Sequence, residues 1–147
     1  MASSLSFEDP IFSSFAFYAT VVILKMMVMS LLTARVRLSK GIFANAEDGK
    51  LHKDPKVTTT HPEVERVRRC HQNDIENIVP FVLLGILYVL TGPDPWWAVL
   101  RFRVFAASRI LHTICYLTPI PQPSRALMFG IGLSINVQMA VSVLRAM

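Results

Sequence analysis

Residues Ile11 to Leu32 form a predominantly apolar run of 22 residues with a single charge, Lys25. A helix needs about 20 such residues to cross the hydrocarbon core of a bilayer. Backbone in lipid must satisfy its own hydrogen bonds, which leaves helices and closed barrels as the structures that can span it. Arg35 and Arg37 follow the run at once, as expected where a helix leaves lipid on its cytoplasmic side. Met1 to Pro10 carry no Lys or Arg and no small-residue cleavage site closes the run, so this segment reads as a retained span and not a signal peptide.

Charge and breakers divide the rest of the chain. Charged residues make up 17% of the 147 residues, against about 25% in soluble domains, and a membrane accounts for the deficit. Nine of the fifteen Lys and Arg residues lie between Thr33 and His71, which marks that segment as cytoplasmic. The net charge of +5 does not indicate nucleic acid, because lipid-facing helices leave no surface suited to it. Ser39 to His61 is polar, with Gly41, Gly49 and Pro55 as breakers, and reads as a cytoplasmic loop in which Asn45-Ala46-Glu47-Asp48 can start a turn or cap. Pro62 suits the first turn of a helix, and Glu63 and Glu65 suit its positive end. That helix is polar to Asn77, apolar from Ile78 to Leu90, and stops at Thr91-Gly92-Pro93-Asp94-Pro95. Trp96 and Trp97 mark a membrane boundary. A third span reaches Leu117, a loop with Pro119, Pro121 and Pro123 follows, and a fourth span begins near Arg125. The expectation is one all-α domain over 1–147, an integral membrane four-helix bundle with spans at about 11–34, 62–91, 96–117 and 124–145 and both termini in the lumen. A chain this small has little room for a large polar site, so association of copies is expected.

The polar half of the second helix places Arg69, Asn73 and Glu76 at i, i+4 and i+7, on one face. An arginine fork, an amide and a carboxylate together suit a small zwitterion with carboxylates, an ammonium and amides. The same spacing fits a solvated charged face with intrahelical ion pairs equally well. In the third span Arg109, His112 and Tyr116 share a face, and ionisable groups at that depth usually face the bundle interior. His112 reads as a core histidine or as a ligand contact. Arg125, where the proline loop enters the fourth span, either snorkels to the interface or serves as the positive charge beside a thiolate. Lys25 calls for a partner on another helix. Cys70 and Cys115 are too few for a disulfide framework and read as small buried thiols. They form no metal-ligand spacing with His71 or His112, and neither a phosphate loop nor a nucleophile elbow is present.

These features coincide with a known pattern. Lys25-Met26-Met27, Val36-Arg37-Leu38, Phe43-Ala44-Asn45, Val64-Glu65-Arg66-Val67-Arg68-Arg69, Asn73-Asp74, Glu76-Asn77-Ile78, Gly92-Pro93-Asp94-Pro95, Arg109-Ile110, His112-Thr113, Tyr116-Leu117-Thr118-Pro119 and Pro121-Gln122-Pro123 together resemble the MAPEG family of membrane glutathione enzymes across nearly the whole chain. Its transferases come first and its prostaglandin E synthases next. The resemblance implies a homotrimer of four-helix bundles that holds glutathione between neighbouring subunits near the cytoplasmic side. It implies glutathione contacts at Arg37, Arg69, Asn73, Glu76, His112, Tyr116 and Arg125, with Arg125 nearest the thiol. Arg37 comes from the resemblance alone. The implied activity is conjugation of glutathione to hydrophobic electrophiles, with reduction of lipid hydroperoxides, in the endoplasmic reticulum membrane, the mitochondrial outer membrane or both. Glutathione is then a co-substrate, and no metal is expected. The alternatives are a glutathione-dependent endoperoxide isomerase and a non-catalytic membrane scaffold. Ala126 stands where the isomerases carry a serine, and Gln72 where they carry an arginine. Gly49 follows Asn45-Ala46-Glu47-Asp48 where the transferases carry a reactive cysteine, so activation through that thiol is not expected.

Overall fold

The computed structural model describes residues 5–147. Four helices dominate it: α1 (Pro10–Lys40), α2 (Pro62–Leu90), α3 (Pro95–Leu117) and α4 (Ser124–Ala146). Local chemistry fixes their ends. Asp9 caps α1 by accepting from the Ile11 and Phe12 amides at 2.8 and 3.4 Å, with Pro10 at the first helical position. Gly41 closes α1 in the left-handed conformation, φ 64°, which a side chain would resist. Asp94 caps α3 by accepting from the Trp97 amide at 3.1 Å, followed by Pro95. Helix α2 continues through Pro80, whose missing N–H removes the usual partner of the Glu76 carbonyl.

Contacts give the packing. Phe15 lies over Gly85, Lys25 meets Asp74, and Lys40 Nζ reaches Glu63 Oε1 at 2.9 Å, so α1 and α2 run antiparallel. Arg109 meets Asp74, and Arg66 Nη1 donates to the Tyr116 carbonyl at 3.4 Å, so α3 opposes α2. Asn136 Nδ2 donates to the Asn77 carbonyl at 3.1 Å and ties α4 to α2. Helices α1 and α4 occupy opposite corners, while α2 and α3 meet across the other diagonal.

The interior has three layers. Toward the Thr91–Asp94 end, Phe15, Phe81, Phe102, Phe105 and Tyr88 form an aromatic core in which Phe81 and Phe105 stack at 3.9 Å. Toward the opposite end, Met29, Val67 and Cys70 form a smaller cluster with Leu32, Val36, Tyr116 and Leu117 against it. Lys25, Asp74, Arg109 and His112 lie between them.

Two details add to the expectation. The expected span at about 11–34 lies within α1, which continues as helix to Lys40. At 1.5 Å per residue its 31 residues span about 46 Å, so it projects well beyond a hydrocarbon core of about 30 Å. The turn expected at Asn45–Asp48 is present as a 3-10 turn, Ala46–Gly49, and the same loop also contains two short parallel strands that were not expected, β1 (Ile42–Phe43) and β2 (Lys56–Val57). The reason is apolar: Ile42 and Phe43 are buried, with the His52 ring 5.6 Å from that of Phe43.

By length and composition α1, α2 and α4 can cross a membrane. Helix α3 carries Arg101, Arg103 and Arg109 within its 23 residues, and each has a partner on another helix. Arg101 donates to the Tyr88 hydroxyl and at 3.4 Å to Gln138, Arg103 donates to the Tyr18 hydroxyl at 2.9 Å, and Arg109 pairs with Asp74. Partnered in this way, cations are tolerable in a bundle at membrane depth.

Candidate functional site

The site grows from the charged layer. Asp74 is wholly buried and accepts from both Lys25 on α1 and Arg109 Nη2 on α3, the latter at 2.9 Å. Asp74 is thus the partner on another helix that Lys25 was expected to have. Two cations against one carboxylate leave one positive charge in excess. Breaking such a buried pair costs about 3–5 kcal/mol, because the survivor is left uncompensated.

Arg109 Nη2 also donates to Asn73 Oδ1 at 2.7 Å and to His112 Nδ1 at 3.2 Å. One nitrogen therefore gathers Asn73 and Asp74 from α2 and His112 from α3. One turn further along α3, the Tyr116 ring lies 5.6 Å from that of His112. The Arg125 guanidinium sits over the Tyr116 ring at 4.9 Å, a cation–π contact between α4 and α3. Arg125 Nε is buried and has no protein partner. A chain of contacts thus links Asn73, Arg109, His112, Tyr116 and Arg125 within one protomer.

The other three expected site residues stand apart from this chain. Arg69 and Glu76 are exposed on the outer face of α2, where Glu76 Oε1 accepts from Gln72 Nε2 at 3.1 Å. Arg69 lines an open groove with Glu65, Arg68, His71, Gln72 and Ile75. Arg37 is half-buried near the end of α1, with Nη1 buried and unpartnered. No helix of this chain covers the Arg69, Gln72 and Glu76 face.

Sequence reasoning missed Asp74. It lies in the stripe Val67, Cys70, Asp74, Asn77, Ile78 and Phe81, all buried and stepping by three or four residues apart from the adjacent Asn77 and Ile78. A carboxylate in the middle of an otherwise inward-facing stripe was the available signal. His112 is buried, with both of its expected readings still open in one residue: it packs inside and keeps Nε2 without a protein partner. Both cysteines are free. Cys70 is buried with its thiol 3.7 Å from Thr113 Oγ1, whereas Cys115, expected to be buried, is only partly so.

The fold and the charged layer define a class: a membrane helical bundle whose interior cations lead to an open polar face. Comparison with known proteins places it further. The MAPEG family model matches residues 15–145, and the chain belongs to that family. The human protein named microsomal glutathione S-transferase 1 is 50% identical over 143 residues, covering 95% of this chain and 92% of its own length. Its bovine counterpart is 51% identical over the same coverage. Human prostaglandin E synthase is 37% identical, covering 97% of this chain and 94% of its own length.

Proposed function

We propose that this chain is a membrane-bound glutathione transferase that joins glutathione to hydrophobic electrophiles. The observation that carries this reading is Arg125, a guanidinium stacked on Tyr116 with a buried, unused Nε donor. A free thiol has a pKa of about 8.5, so only a few per cent is thiolate at neutral pH. Lowering it by about two units takes about 2.7 kcal/mol of preferential thiolate stabilisation, which a partly desolvated cation can supply. The thiol proton leaves to water, the sulfur bonds to the electrophilic carbon, and the leaving group departs with the electron pair. Against a lipid hydroperoxide, the same thiolate attacks oxygen, and two glutathiones are oxidised to the disulfide as the hydroperoxide becomes alcohol and water.

Glutathione binds through Arg37, Arg69, Asn73, Glu76, His112, Tyr116 and Arg125. Arginines take its carboxylates, Glu76 receives its ammonium group, and Arg125 is the catalytic residue. The working unit is a homotrimer. Two features support association: the uncovered polar face of α2, and the placement of Arg37 and Arg125 on α1 and α4, helices that do not contact each other. A pocket between neighbours brings Arg37 of one copy to Arg125 of the next. The electrophile arrives through lipid, in the endoplasmic reticulum or mitochondrial outer membrane.

The test is glutathione conjugation to a haloaromatic substrate by the purified protein in detergent, set beside turnover of a prostaglandin endoperoxide. Conjugate formation is expected. Endoperoxide isomerisation without conjugation would overturn the reading.

A further inference from the structure

Arg109 is wholly buried and is a permanent cation with five N–H donors and no acceptor. Its Nη2 has two hydrogens for three acceptors, Asn73 Oδ1, Asp74 Oδ1 and His112 Nδ1, so one hydrogen is shared, and a hydrogen bond across the 3.2 Å contact with His112 has one sense: Arg109 donates and Nδ1 accepts. The His112 ring is then held with its proton on Nε2. The contact at 2.7 Å with Asn73 Oδ1 likewise occupies the acceptor of that amide and leaves Nδ2 as its remaining polar group. Neither His112 Nε2 nor Asn73 Nδ2 has a protein partner, and neither is a buried orphan. Both residues thus present N–H donors outward.

Asp74 sits behind this arrangement. Its Oδ1 accepts from the same Arg109 Nη2, and its Oδ2 accepts from Lys25. Without the carboxylate, Lys25 and Arg109 would face each other as like charges in a buried layer. We infer that Asp74 is a positioning residue for glutathione: by anchoring Arg109, it makes Asn73 and His112 a pair of hydrogen-bond donors selective for carboxylate or amide oxygens of the ligand. The inference rests on the glutathione reading above and deepens it. Asp74 touches no ligand and acts through Arg109. The thiolate step belongs to Arg125, on α4, so Asp74 governs binding and not the chemical step.

The experiment uses the full chain in detergent, labelled with 15N histidine and free of glutathione, with the His112 signals identified by their loss in His112→Gln. At neutral pH the expected spectrum shows a non-protonated Nδ1 and a protonated Nε2. A proton on Nδ1, or a charged ring, overturns the inference. In Asp74→Asn the single tautomer is expected to give way to a mixture. The KM for glutathione should rise about ten-fold, the equivalent of one charge-assisted hydrogen bond, while kcat at saturating glutathione stays within about two-fold. An unchanged tautomer and KM in a folded Asp74→Asn protein also overturns it. If that variant does not fold, Asp74→Glu, which keeps the anion but displaces it, takes its place, and an unchanged tautomer and KM in it overturn the inference. Calorimetry on the unaltered protein separates the two levels: absent glutathione binding overturns the transferase reading and the inference with it, whereas binding with the wrong tautomer overturns the inference only.

Discussion

Arg109 Nη2 lies 2.9 Å from Asp74 Oδ1, and both side chains are wholly shielded from solvent. A second cation, Lys25, shares the carboxylate. The pair is the mechanical centre of the bundle as well as the back wall of its site. Asp74→Ala is expected to destabilise the protein by about 3–5 kcal/mol, since it leaves the buried Arg109 and the partly buried Lys25 without an anion. Thermal unfolding in detergent measures this. A loss below about 1 kcal/mol would mean that the pair contributes little.

Arg125→Ala should abolish the ultraviolet absorbance of bound thiolate while weakening glutathione binding only modestly. A thiol pKa returned from about 6.5 to about 8.5 lowers the thiolate fraction at pH 7 from about three quarters to about 3%, about 25-fold. Activity should therefore fall about that far at pH 7 and recover as pH rises toward the ordinary thiol range. An unaltered thiolate signal would remove Arg125 from the catalytic role.

If each pocket takes Arg37 from one protomer and Arg125 from its neighbour, two inactive variants can repair each other. Arg37→Ala and Arg125→Ala, co-expressed, should regain activity through about one intact pocket in four of a randomly mixed assembly. Separately purified and then mixed without exchange, they should stay inactive. Activity no higher than either variant alone in co-assembled protein would place both arginines in one protomer's pocket.

Gly85 of α2 packs directly against the Phe15 ring of α1, where an added Cβ would clash with Phe15 Cε2. Gly85→Ala should cost about 1–3 kcal/mol by forcing Phe15 out of the aromatic core. Adding Phe15→Leu should return part of the loss, a coupling that a double-mutant cycle on thermal stability reads directly.

The helices were readable because lipid imposes length and polarity on every span, and proline and glycine punctuate the ends. Pro62, Pro95 and the Gly92–Pro95 breaker acted locally, so no tertiary knowledge was needed. Lys25 announced a need but not its answer, since pairing across helices depends on how α1 and α2 rotate against each other. Asp74 was hidden by its neighbours: in a stretch with Arg68, Arg69, Asn73 and Glu76, one more charge looked like surface. The strands at Ile42–Phe43 and Lys56–Val57 were invisible because two-residue pairing depends on long-range closure of the loop by His52, Gly49 and Pro55. Spacing put Arg69, Asn73 and Glu76 on one face but could not say that Asn73 would bond inward while the other two look out.

The partners of the three α3 arginines bear on biogenesis. Each arginine at the centre of a lone helix opposes entry into the bilayer by about 2.5–3.5 kcal/mol. Here Arg103 relies on Tyr18, Arg109 on Asp74, and Arg101 on Tyr88 and Gln138, groups supplied by α1, α2 and α4. The translocon would thus have to release α3 as a dependant of segments already made, with α4 completing its accommodation, so that this part of the chain enters lipid as an assembly and not one helix at a time.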